Sequence, residues 1–132
     1  MVRPVNPVRF PDMRMGVIDA LRSLADREYQ ERVWINRIYP HERYYDDLSM
    51  RIHTLYDDTD VLAAPAGMVG DVIYSSEIDS LHQLDSILSP LIDELGDADD
   101  STYLADPRWD QVIRASDAAL RTMLANEKTN PD

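Results

Sequence analysis

His53 and Asp57 stand one helical turn apart, with Asp58 and Asp60 directly beyond them. An imidazole with two or three carboxylates can hold magnesium or manganese, and a metal so held can activate water for hydrolysis. Helical hydrolases of that kind usually draw paired acids from two helices in E-x-x-E or H…HD patterns, and neither occurs in this chain. The plainer reading is a surface His–Asp pair followed by acids at a helix C-terminus, where the helix dipole disfavours them.

A second acidic group is Asp97, Asp99 and Asp100 in GDADDSTYL. A calcium loop starting at Asp97 would need Gly at its sixth position and Glu at its twelfth. The chain has Thr102 and Arg108 there, so the motif fails and an acidic linker between two helices is expected. His82 lies near Asp79 and Asp85, but His82 and Asp79 fall away from the leucine stripe of their helix, toward solvent. Glu77 falls on the apolar side, in the first turn. The dipole of the helix N-terminus accounts for it, with an arginine-paired, partly buried carboxylate as the alternative.

Trp34, Tyr39, Tyr44 and Tyr45 gather around His41 in one loop region. Such a group either forms the edge of a core or anchors a partner surface. There is no Ser/His/Asp signature and no Walker motif, and the chain has only 4 glycines from which to build a phosphate cradle. With no cysteine there is no thiolate nucleophile, disulfide or Cys-ligated zinc, which suits a reducing, cytoplasmic setting. No cofactor is expected beyond a divalent cation at one of the acidic groups.

The formal net charge is −12, and its placement is uneven. Residues 52–107 hold 13 acids and no Lys or Arg, while the segments on either side are nearly balanced. A base-free segment faces water, is paired by arginines elsewhere in the chain, or meets a basic partner. Nucleic acid is excluded as a partner, because such a field repels phosphates. Arginine outnumbers lysine 12 to 1, as in proteins from GC-rich genomes.

At 132 residues with 44% hydrophobic content, the chain is long enough for one domain with a real core. The opening MVRPVNPVRFPDM has no apolar run of signal-peptide length, and no window approaches a membrane span. Residues 1–11 read as an extended arm. Asp12 is a suitable N-cap for a helix over 12–25, striped by Val17, Ile18, Leu21 and Leu24. The spacing over 28–38 predicts a helix ending before Pro40, although Val33 and Ile35 also alternate as in a strand.

Asp46 or Asp47 caps a third helix carrying Leu48, Ile52, Leu55 and Tyr56, and Tyr45 with Met50 has the spacing of a hydrophobic staple if Asp46 is the cap. Residues 61–74 form a connector. Ser76 starts a fourth helix through Leu81, Leu84, Leu88 and Leu91 to Gly96, with a kink or break expected near Pro90. Asp106 and Pro107 start the last helix, led by Trp109, and residues 126–132 should fray. The expected architecture is all-α: a compact bundle of about five helices, with the arm, a single domain over 12–125, and the tail.

The strings ALRSLADREYQERVW, YYDDLSMRIHTLYDDTDVL and LIDELGDADDSTYLADPRW resemble a family of small acidic actinobacterial proteins without a characterised activity, over about residues 14–125. The resemblance implies no catalytic residues. In character, a short acidic domain without enzyme motifs is similar to toxin-immunity proteins. The leading expectation is a non-enzymatic module that binds a basic protein partner through Trp34, Tyr39, His41, Tyr44, Tyr45, Asp97, Asp99 and Asp100. A metal-dependent hydrolase at His53, Asp57, Asp58 and Asp60 is the alternative, and a structural homodimer the third reading.

Overall fold

The computed structural model describes residues 7–129 and contains six α-helices and no strand among them. The first, α1, spans Pro11–Leu24. Pro11 opens it with the fixed φ a first helical turn requires. The cap position therefore falls on Phe10, and Asp12 acts through its charge in the first turn instead of as the cap. Val17, Ile18, Leu21 and Leu24 are fully buried, as their spacing requires. Ahead of α1, the N–H groups of Arg9 and Phe10 donate to the carbonyls of Gly70 and Asp71, each at 2.8 Å. The described part of the arm is thus laced to the 61–74 connector; its residues 1–6 lie outside the described residues.

Asp26 caps α2 (Arg27–Tyr29), accepting the Tyr29 N–H at 3.0 Å, and the chain continues without a break as a π-helix over Gln30–Ile35. The 28–38 segment is therefore helical, not a strand. It stops at Ile35, short of Pro40, because Arg37 takes a left-handed backbone with φ 56°. The wide turn carries Gln30, Val33 and Trp34 inward together. Gln30 is fully buried and fully used: its amide donates to the Ser23 and Leu24 carbonyls at 2.9 and 3.0 Å, and its oxygen accepts the Trp109 indole N–H at 2.9 Å.

Asp47 caps α3 (Leu48–His53) by accepting the Met50 N–H at 2.9 Å, and a second π-helix follows over Thr54–Asp58. With Asp47 as cap the register moves by one residue. The Tyr45–Met50 staple is not formed, and both side chains are about half exposed. The 61–74 connector supplies core: Val61, Leu62, Val72 and Ile73 are buried, and the lone Val69–Ile73 bridge is the only β pairing among the described residues.

A short 3-10 turn, Ser75–Glu77, leads into α4 (Ile78–Leu95). Its start is fixed by the Glu77 carboxylate reaching back to the Tyr74 N–H at 2.9 Å, not by Ser76. The helix runs through Pro90 without a break and closes on Gly96 at φ 53°, a left-handed backbone suited to glycine. Pro90 is exposed, so its ring meets solvent and not a neighbouring helix. The expected acidic linker is in part a sixth helix, α5 (Asp100–Ala105), whose Tyr103 hydroxyl donates to the Gly96 carbonyl at 2.6 Å. Asp106 then accepts the Arg108 N–H at 2.9 Å and starts α6 (Trp109–Thr129).

The last helix packs against both α1 and α4. It extends beyond residue 125, where fraying was expected: Glu127 pairs with Arg14 at 2.7 Å, and Asn126 donates to Glu77 at 2.7 Å. Residues 130–132 lie outside the described residues. Glu77 is itself fully buried and bidentate to Arg14, at 2.8 and 2.7 Å. The arginine-paired reading of Glu77 is therefore correct, and the dipole alone does not explain it. Arg14 also lies over the Tyr74 ring, 4.6 Å from its centroid.

Candidate functional site

Two elements separated in the sequence, the aromatic 34–45 region and the acidic 97–100 turn, both contribute walls to one cleft of about 720 Å³. The cleft begins beneath its floor, at Asp46. This side chain is 1% exposed and accepts the Trp34 indole N–H at 2.9 Å and the Tyr29 hydroxyl at 2.7 Å, while Arg51 pairs with its other oxygen at 2.8 Å. The Tyr29 hydroxyl is also bonded to that of Tyr44. Donors and a counter-ion offset the cost of burying a carboxylate, and here they come from α2, the π-helix that continues it and α3. Burial, with the Tyr44 and Asp46 contacts, pushes the Tyr29 phenol well above its usual range, so it stays a donor. The network fixes the loop that carries the aromatic wall.

Trp34, Tyr39 and Tyr45 line that wall. Tyr39 packs against both Tyr44 and Tyr45, with centroids 6.2 and 5.9 Å apart, and His41 stands edge-on to Tyr44 at 5.7 Å. His41 and Tyr44 therefore buttress the wall from behind and do not line the cleft. The other wall is the turn after Gly96: Asp97, Asp99 and Asp100, with Ile92 and Tyr103. It faces outward because Gly96 reverses the chain and α5 immediately takes it back.

Four carboxylates, those of Asp47, Asp97, Asp99 and Asp100, line the cleft against the single guanidinium of Arg37, while Asp46 in its floor is already paired with Arg51. Asp100 is partly buried and accepts the Leu48 N–H at 3.1 Å. Burial raises its carboxyl above the ordinary value, with Asp47 and Asp46 adding like-charge repulsion and the Leu48 N–H and Arg37 opposing it. A cation entering the cleft relieves that repulsion. The rings supply faces on which a guanidinium or ammonium can lie.

The proposed metal group is not assembled in this way. His53 is bonded to Asp57, and both are 62% exposed. Asp58, the last residue of the second π-helix, and Asp60 just past it are both exposed, and Asp60 has φ 59°. Among the described residues, no three His or carboxylate side chains are grouped to hold a metal ion. His53 does reach the rim of the cleft. Sequence reasoning missed Asp46 and Asp47 as site residues, because each reads equally well as a helix cap, and it missed Ile35 and Arg37 because the turn that exposes them is left-handed.

Residues 8–131 match the family described as Domain of unknown function (DUF7945). The chain belongs to this family. The match covers every described helix and every residue that lines the cleft, so the site lies wholly within the DUF7945 domain. No curated protein matches the chain, and no solved structure does. No helix among the described residues is long and apolar enough to cross a membrane.

Proposed function

We propose that this DUF7945 domain is a non-enzymatic binding module that receives a basic protein segment in the acidic, aromatic cleft, as an immunity-type inhibitor in the cytoplasm would. The observation that carries the reading is the convergence of Tyr39 and Tyr45 with Asp97, Asp99 and Asp100 on one concavity. Convergent carboxylates steer a cationic partner and speed its association, while aromatic side chains supply the anchoring area. The base-free 52–107 segment gives the same sign of field around the site.

The test is the anisotropy of a fluorescein-labelled arginine-rich peptide at low and moderate salt. Asp97→Asn/Asp99→Asn/Asp100→Asn should bind it several-fold more weakly than the native chain and with a shallower salt dependence. Asp58→Asn/Asp60→Asn/Asp79→Asn removes the same charge away from the cleft and should bind nearly as the native chain does. Equal losses in the two triple variants would mean that net charge alone attracts the peptide, and would sink the reading.

A further inference from the structure

Past Ile35 the cleft continues into a second hollow of about 410 Å³, lined by Arg27, Glu31, Ile35, Asn36, Leu104 and Ala105, with Ser101 at the shared edge. Its character differs from that of the cleft. The apolar atoms come from Ile35, which is 36% exposed, from Ala105 at the surface and from the edge of Leu104. The one guanidinium, Arg27, is already engaged by Asp110 at 2.8 Å and leans on the Leu104 carbonyl at 3.4 Å. The one carboxylate of the hollow, Glu31, is exposed. Outside the rim, Ile38 is 59% exposed and extends the apolar surface along the same loop.

We propose that the two hollows form one groove for an extended segment of a basic protein, which places an arginine or lysine in the carboxylate cleft and an apolar side chain in the hollow between Ile35 and Ala105. This deepens the cleft-binding reading and rests on it. Charge complementarity fixes the polarity: the cationic side chain belongs where Asp47, Asp97, Asp99 and Asp100 accompany one guanidinium, Asp46 being already paired with Arg51, and the uncharged one belongs beyond Ile35, where the single carboxylate of Glu31 accompanies the single guanidinium of Arg27. Alternate residues of an extended chain project to the same side, so the two recognised residues stand two positions apart. The second hollow thereby supplies a selectivity that charge alone lacks. A partner rich in arginine but without the apolar neighbour gains only the electrostatic part.

Three short peptides test this by NMR titration of the isotope-labelled full chain: Gly-Arg-Ser-Leu-Gly, Gly-Arg-Ser-Ser-Gly and Gly-Gln-Ser-Leu-Gly, each acetylated and amidated. The Arg-Ser-Leu peptide should bind about tenfold more tightly than Arg-Ser-Ser, the scale expected from burying most of one leucine side chain. It should shift the amides of Ala105 and Asn36 together with those of Asp99 and Asp100. Ala105→Gln, which fills the hollow from an exposed position without adding charge, should abolish the preference for leucine and leave Arg-Ser-Ser binding unchanged. Ile35→Ser should also weaken the preference for leucine, and because Ile35 lines the cleft as well, that variant is read by the preference alone. If Arg-Ser-Leu and Arg-Ser-Ser bind equally while the Asp97/Asp99/Asp100 triple variant weakens both, the groove is wrong and the cleft reading stands. If that triple variant weakens neither, both readings fall.

Discussion

Glu77 and Asp46 are the two fully buried carboxylates among the described residues, and each is surrounded for a different end. Glu77 meets Arg14 in a two-point contact, with Asn126 and the Tyr74 N–H taking its remaining lone pairs. Removing the charge from one member of such a pair leaves the other buried without its counter-ion. Glu77→Gln should therefore lower unfolding stability in urea by about 3 kcal/mol, while Arg14→Leu/Glu77→Leu should recover much of that loss. A single-variant cost below about 1 kcal/mol would show that Glu127 suffices as the partner of Arg14. Trp109→Ala should cost about 3–5 kcal/mol, since the ring is fully buried and its N–H is held by Gln30. A far smaller loss would mean that the ring contributes little to the core. The burial of Trp109 was legible in the sequence from the apolar stripe it leads. The burial of Glu77 was legible only as a position on the wrong face, because its partner lies 63 residues away on α1.

The helices themselves follow from local rules, and their ends depart from expectation where more than one residue could serve. Asp26, Asp47 and Asp106 each hold a backbone N–H as caps should, whereas Asp12 and Ser76 lose that place to Phe10 and Tyr74. At Asp106 the Arg108 guanidinium and backbone N–H draw the carboxyl down to about 2, from an ordinary value of 3.8. A depressed carboxyl stabilises the fold above its unfolded pKa, and that contribution disappears as pH falls through the folded value. Asp106→Asn, which can still accept the backbone N–H, should thus be less stable than the native chain near neutral pH. The two should converge between about pH 4 and pH 2. A gap that stays constant across that window in urea melts would assign the effect to capping, not charge. Along α4, Pro90 withholds one N–H from the carbonyl of Ser86 at an exposed position. Pro90→Ala restores that bond and should raise stability by up to about 3 kcal/mol; an unchanged melt would show that the helix has adapted to the proline at no cost. Neither π-helix was legible. A π turn differs from an α turn by one residue of register, and over Gln30–Ile35 the choice is made by what Gln30 and Trp34 reach in the interior, namely the α1 C-terminus, Trp109 and Asp46.

On the scale of the molecule, 13 acids without a base between residues 52 and 107 leave a field that opposes compaction. Added sodium chloride screens it, so the melting temperature should rise between low and moderate salt, and should rise less in Asp97→Asn/Asp99→Asn/Asp100→Asn. A melting temperature that falls with salt would mean that pairs such as Arg27–Asp110 and Arg121–Asp117 outweigh the repulsion. The sequence by itself determined the helical class, the apolar stripes of α1, α4 and α6, the one-sided charge and the residue types at the site. These depend on spacing of a few residues, which a chain carries locally. Only the tertiary structure decided that Trp34, Tyr39 and Tyr45 line one cleft together with Asp97, Asp99 and Asp100, with His53 at its rim, while Asp57, Asp58 and Asp60 do not line it. That choice rests on where Gly96 reverses the chain, how α5 returns it, and which carboxylate the 29–51 network buries at Asp46. Each of these is a contact between segments that no local pattern encodes.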